Sequence, residues 1–217
     1  MVFLRPIGEN DRERMLDILT SDQVNKTYML PDFEHREDAL PQFHRLMTMS
    51  QNSNKYVRAI ALEDGLIGFL NQVEVEDGSI ELGYVIHPDF QGKGYMTGAL
   101  KLAMEELFHM QYRQVITGAF TENTASIRVM EKSGMTRMDK IDEIDYRGKT
   151  HTCIYYSKKP MVFSCCFCGE AATAREAYVL SIARAHDPEG PEQDIYCHRI
   201  CLERRIKDKN LLYIKYM

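Results

Sequence analysis

Two stretches of this 217-residue chain carry residue types at spacings that could do chemistry. The first is FQGKGYMTGALKLAMEELF, from Phe90 to Phe108, where Gln91-Gly92-Lys93-Gly94 opens an amphipathic run. A strand ending near His87 and the turn Pro88-Asp89-Phe90 would deliver these residues to a helix start. Unpaired backbone N–H groups and the positive end of the helix dipole converge at such a point and suit phosphate oxygens. Glycine at 92 and 94 lets the backbone come close to an anion and take positive φ, and Lys93 adds charge. The stretch is neither the Gly-x-Gly-x-x-Gly dinucleotide fingerprint nor a phosphate loop ending in Gly-Lys-Ser/Thr, and the same residues also make a tight strand-to-helix turn.

The second stretch is the cysteine-rich tail. SCCFCGE contains Cys165-x-x-Cys168-Gly169, and IYCHRICLERRI contains His198-x-x-Cys201. Two close pairs about thirty residues apart are what a tetrahedral Zn2+ site needs, each knuckle supplying two ligands. The expected ligands are Cys165, Cys168, His198 and Cys201, with Cys197 as a substitute for His198. Four protein ligands leave no open position, so the zinc would be structural. Without metal the same cysteines would be reduced core residues. Cys153 stands apart and reads as a small buried hydrophobe, or as an acyl carrier.

The elements that must position these residues follow from periodicity. VFLRPI reads as a strand, Asn10 and Glu13 resemble a capping box for a first helix, and a second helix includes Leu40, Phe43, Leu46 and Met47. Asp64-Gly65 and Asp77-Gly78 punctuate three β-rich runs, which predicts three consecutive antiparallel strands. Met96, Ala99, Leu100, Ala103, Met104, Leu107 and Phe108 share a helical face that must cover a sheet. QVITGAF is then a strand, NTASIRVMEKSGM a helix stopped at Gly134, and two strands bracket Arg147-Gly148. The result is an α/β (α+β) fold, a mixed, mostly antiparallel sheet flanked by helices. Lys158-Lys159-Pro160 marks a boundary between a domain at 1–160 and a small zinc-binding module at 161–217, where YVLSIARA and DPEGPEQDIY form a hairpin with a longer loop.

Composition sets the outer limits. Hydrophobic residues at 44% and charged residues at 27% suit a packed domain rather than a disordered chain. A net charge of -5 offers no general attraction to nucleic acid. MVFLRPIGENDRER has no signal-peptide pattern and no apolar run reaches membrane-spanning length, so the expectation is a cytoplasmic protein without a membrane partner, monomeric or homodimeric. Clustered cysteines in a reducing compartment favour metal over disulfides.

ELGYVIHPDFQGKGYMTGAL followed by TENTASIRVMEKSGM resembles the GNAT acetyltransferase superfamily, in particular its branch of ribosomal-protein N-terminal acetyltransferases. The resemblance covers roughly residues 1 to 160 and implies acetyl-CoA as co-substrate. It implies that Gln91, Gly92, Lys93, Gly94, Tyr95 and Met96 hold the CoA pyrophosphate, with Met96 departing from the small residue usual there. It also implies a splayed strand in which Val85, Ile86 and His87 meet the pantetheine arm through main chain, with an oxyanion donor near Val85. Asn123 resembles the asparagine that contacts CoA, and is also suited to cap its helix. The tail is similar to a treble-clef zinc finger.

Direct transfer of an acetyl group to an amine needs a base, an oxyanion donor and a proton for the thiolate. Glu81 is the candidate base, or else an exposed strand residue; Ser126 is the candidate donor to sulfur, or else a helix residue bonded to the preceding turn. Tyr28, Met29, Leu30, Phe33 and His35 either shape the acceptor pocket or belong to the core. The acceptor would be a primary amine on a small molecule or a protein N-terminus. The competing reading is a non-catalytic protein that senses a CoA ester or docks a partner through the zinc module.

Overall fold

Three consecutive antiparallel strands, covered on both faces over much of their length, build the centre of the main sheet. In the computed structural model, which describes residues 1–173, 176–182 and 193–206, β1 (Phe3–Arg5) is followed by α1 (Arg12–Leu19), α2 (Asp22–Asn25) and α3 (Leu40–Gln51). Then come β2 (Val57–Leu62), β3 (Gly65–Glu76), β4 (Ser79–Ile86), α4 (Tyr95–His109), β5 (Gln114–Phe120), α5 (Thr124–Lys132), β6 (Thr136–Tyr146) and β7 (Lys149–Lys158). The strands lie in the order β1-β2-β3-β4-β5-β7-β6, and every pairing is antiparallel except β4 with β5. The element order read from the sequence is the observed one, with α2 as an added short turn of helix.

The turns obey local chemistry. Asp77 and Gly78 both take positive φ (47° and 76°), as do Arg147 and Gly148 (50° and 73°), the pair of conformations that a two-residue hairpin with right-handed strand twist requires. The first helix differs from expectation. Glu9–Asp11 form a 3-10 turn, so the Gly8 N–H donates to Asp11 Oδ2 at 2.9 Å, and Asp11 rather than Glu13 organises the helix entry. Asp11 also accepts two bonds from Arg5 at 2.6 and 2.7 Å, which ties β1 to the helix start.

The sheet carries apolar side chains on both faces. On one, Ile60, Leu70, Ile80 and Leu82 pack under Ala99, Leu100, Ala103, Met104 and Leu107 of α4; Phe108 is only partly buried. On the other, Val57, Ala59, Phe69 and Val85 meet Met15, Leu16, Leu19, Phe43 and Leu46 of α1 and α3. Alternation along β4 therefore sends Leu82, Tyr84 and Ile86 to the α4 face and Glu81, Gly83 and Val85 to the other.

The chain divides into two compact units, Met1–Lys159 and one from Pro160 onward. In the second, β8 (Val162–Ser164) pairs with β9 (Ala171–Thr173), β10 (Ala177–Ile182) pairs with β11 (Gln193–His198), and α6 (Arg199–Arg205) follows. Its small core joins Cys165, Cys197 and Leu202. The loop expected between the two hairpin strands lies outside the described residues. Among the described residues no helix is long and apolar enough to cross a membrane.

Candidate functional site

The parallel ladder between β4 and β5 is short, running only from Ser79–Gln114 to Glu81–Ile116. Beyond it β4 stays with β3 and β5 pairs with β7, so the sheet opens into a cleft of about 910 Å³. Its walls include Glu81, Tyr84, Val85 and Ile86 of β4, Thr117 and Phe120 of β5, and Asn123 and Ser126 at the start of α5.

Gln91, Gly92, Gly94, Tyr95 and Met96 line one end of this cleft, where α4 begins. Gly92 and Gly94 have φ of 73° and 80°, which costs glycine nothing and other residues about 1 to 2 kcal/mol. A Cβ added to either would meet no protein atom within 4 Å, so the space beside both is open. The Gln91 side chain donates to Ile86 O at 3.3 Å and accepts from Gln23 Nε2 at 2.9 Å. Lys26, Arg128 and Lys132 also line the cleft, with Arg128 and Lys132 four apart on α5 and hence on one face. Sequence reading missed these cations; the i, i+4 spacing was the available signal for two of them.

Two expected contacts are not brought to the cleft. Lys93 turns back, its Nζ donating to Asp89 O at 2.8 Å and lying 5.4 Å from the Phe90 ring. His87 accepts from the Asp89 N–H at 3.2 Å and lines a separate depression with Arg5 and Asp11. A third expectation is corrected by the ladder itself. The His87 N–H donates to Ile67 O at 2.8 Å, and antiparallel alternation then turns the backbone of Val85 and Gly83 onto β3 as well. The Val85 oxygen lies 2.3 Å from where a Cβ on Gly68 of β3 would be. The main-chain groups left facing the gap are those of Tyr84 and Ile86.

Glu81 sits at the fork, the last β4 residue paired to β5. Burial raises its pKa, Glu74 and Asp142 raise it further, and Lys140 opposes them. On the same side of the sheet are Tyr28, whose hydroxyl bonds Asn71, and Cys153, whose thiol burial also pushes up. On the α4 side, the Ser126 N–H donates to Asn123 Oδ1 at 3.1 Å, so Asn123 caps α5 while also lining the cleft. Ser126 Oγ lies 2.7 Å from the Tyr84 hydroxyl. Of the residues expected to shape an acceptor pocket, Tyr28 and Met29 line the cleft, whereas Leu30 is buried in the α1–α3 core. Phe33 packs against that core, and the His35 N–H donates to Asp38 Oδ2 at 2.9 Å.

In the second unit, one ligand atom each from Cys165, Cys168, His198 and Cys201 lies within 4.8 Å of the others. The Sγ atoms of Cys168 and Cys201 are 3.5 and 3.9 Å from His198 Nδ1. His198 Nε2 is 3.1 Å from Ala171 O, a partner that fixes the proton on Nε2 and leaves the Nδ1 lone pair facing the sulfurs. The His198 N–H points at Cys165 Sγ (3.4 Å), and Gly169 takes φ of 77° after the first pair. Cys197, the expected substitute, is fully buried with its Sγ directed at Tyr178 O (3.8 Å).

Residues 2–136 match the family model described as an acetyltransferase (GNAT) domain. The chain is 32% identical over 143 residues to the probable N-acetyltransferase YjcK of Bacillus subtilis (strain 168), covering 61% of this chain and 79% of that protein. Its fold is similar to that of spermidine N-acetyltransferase from Vibrio cholerae in complex with CoA and spermine, at a TM-score of 0.62 and 15% identity, over 73% of this chain and 95% of the other. It is also similar to the acetyl transferase from Salmonella typhimurium that modifies the N-terminal serine of ribosomal protein L7/L12, at a TM-score of 0.63 and 18% identity, over 73% and 94%.

Proposed function

Because the chain belongs to the GNAT acetyltransferase family and is an acetyl-CoA-dependent acetyltransferase acting on an amine, we propose direct transfer to a primary amine with both substrates held in the cleft. The observation that carries this reading is the fork between β4 and β5, which leaves β4 main chain without a strand partner facing a gap whose far end is the start of α4. An extended pantetheine arm would pair with the main-chain groups of Tyr84 and Ile86 that face the gap, as an added strand does, displacing the Gln91 side chain from Ile86 O. Gly92, Gly94 and the α4 N-terminus would take the pyrophosphate, and Lys26, Arg128 and Lys132 would balance its charge.

Glu81 takes the proton of the incoming ammonium, directly or through water. Its raised pKa, caused first by burial, makes it a stronger base than an exposed glutamate. The amine attacks the thioester carbonyl, and the N–H of Tyr84 or Ile86 stabilises the oxyanion. Sulfur then departs toward Ser126 on the α4 side of the sheet. Glu81 and Ser126 face opposite sides of the split, so base and donor need not compete for one position. The acceptor is an amine on a small molecule or at a protein N-terminus, the two kinds named for the structural relatives.

The second unit, read as a module at 161–217 beside a catalytic domain at 1–160, would hold one Zn2+ through Cys165, Cys168, His198 and Cys201. The donor set fits: three thiolates and one imidazole whose other nitrogen is already bonded to Ala171 O. With four protein ligands the ion supplies folding energy and no chemistry on substrate.

Titration calorimetry of acetyl-CoA into the protein and into Gly94→Glu tests the site. Binding lost in the variant supports the cradle; no binding by the unaltered protein rejects it. A panel of polyamines and serine-initiated peptides then tests the acceptor class, and cofactor binding without any acetylated amine would favour the sensing alternative.

A further inference from the structure

Ser126 is a weak donor unless something fixes its proton. A helical serine ordinarily turns its hydroxyl back to a carbonyl of the preceding turn, where it is useless to a leaving group. Here the Tyr84 hydroxyl lies 2.7 Å from Ser126 Oγ and 3.2 Å from Ser126 O, across 42 residues of sequence. Tyr84 and Ser126 both line the cleft, and so does Thr117, whose buried hydroxyl interacts with the Tyr84 phenol. Three hydroxyls from β4, β5 and α5 thus meet on the α4 side of the fork.

Resting on the reading of Ser126 as the group that meets the sulfur, we propose that Tyr84 is its positioning residue: by donating its proton to Ser126 Oγ, it leaves the Ser126 proton directed at the departing thiolate. Burial pushes the Tyr84 phenol up to about 12, so it keeps its proton and serves as a lasting donor. As the C–N bond forms, the C–S bond breaks and sulfur keeps the bonding pair. Nitrogen gives up two protons, the first through Glu81 to solvent before attack and the second to the freed Glu81 carboxylate once the C–N bond has formed, and the thiolate is held by the Tyr84–Ser126 chain until solvent protonates it. Each bond in such a chain polarises the next, which strengthens the one to sulfur.

The thiol of bound CoA reports this contact without any acceptor. Thiolate absorbance of CoA bound to the full-length protein should show more thiolate at about pH 8 than free CoA does. Ser126→Ala should cut that excess about tenfold, as loss of a hydrogen bond to a charged group implies. Tyr84→Phe should cut it roughly threefold with CoA affinity nearly unchanged, and should add nothing in the Ser126→Ala background. A Tyr84→Phe protein equal to the unaltered one, beside a defective Ser126→Ala, overturns the Tyr84 proposal alone. So does an undiminished Tyr84→Phe effect in the double variant. Full thiolate in Ser126→Ala overturns both readings. Should Tyr84→Phe fail to bind CoA, difluorotyrosine at position 84, a stronger donor of the same shape, should raise the thiolate fraction; an unmoved fraction overturns the proposal.

Discussion

Glu81 joins two properties that can be measured separately. As the base it should be indispensable: Glu81→Gln is expected to lower kcat by about 10²- to 10⁴-fold while leaving acetyl-CoA affinity within twofold, read by steady-state kinetics and calorimetry. As a half-buried carboxylate whose charge is disfavoured by desolvation, it works against the fold. Its pKa is raised in the native state, so the native protein binds the proton more tightly than the unfolded chain does. The stabilisation from the protonated form is complete below the unfolded pKa and is lost as pH rises through the native one. Glu81→Gln should therefore unfold at a higher temperature than the unaltered protein at neutral pH, and the difference should vanish in acid. An equal or lower Tm at pH 7 would argue against a carboxylate that destabilises the fold. The sequence could name Gly92, Gly94, Asn123 and Ser126 from local motifs, and Glu81 from its place on the strand before the α4 turn. Tyr84 was invisible as a partner of Ser126 because only the packing of α5 against β4 and β5 joins them.

At the scale of elements, order and type were legible because each element carries its own signal: the α4 stripe, the Asp-Gly turns, the stop at Gly134. The fork was not, since it depends on where the β4–β5 ladder ends while β5 keeps its other edge on β7, which long-range register decides. The same limit hid the clasp beside Tyr28 and Met29, where the Tyr146 hydroxyl at the end of β6 donates to Asn25 O at 2.8 Å and accepts from the Leu30 N–H at 3.4 Å. Beside it Arg147 pairs with Asp32. This holds the loop that carries Tyr28 and Met29, so Tyr146→Phe should cost about 1 to 3 kcal/mol of stability and raise the acceptor KM more than the acetyl-CoA KM. Equal changes in both would mean that the clasp does not shape the acceptor side. The glycines of the cradle give the converse expectation. Gly92→Ala meets no protein atom within 4 Å, so stability should fall by only about 1 to 2 kcal/mol from its positive φ, while acetyl-CoA affinity falls more than tenfold. Chemical denaturation and calorimetry on the same sample separate the two.

Across the whole molecule the two units differ in what can hold them together. The first has apolar clusters on both faces of a seven-stranded sheet. Among its described residues the second has only a small core, Cys165, Cys197 and Leu202 with partly buried neighbours, under two-stranded ladders, and small units of this kind commonly draw stability from a bound metal. If Zn2+ supplies the missing free energy, removing it should unfold the second unit alone. The purified protein should carry one zinc per chain. Prolonged chelation should abolish one calorimetric transition and leave the other, with acetyl-CoA affinity changed by less than about twofold. Cobalt added to the stripped protein should restore the lost transition and produce the visible and near-ultraviolet bands of tetrahedral thiolate ligation. Cys168→Ser should lose the metal, whereas Cys197→Ser, whose sulfur points to Tyr178 O, should keep it. A metal-free protein whose unfolding ignores both chelator and cobalt would return these four residues to the status of a reduced core cluster.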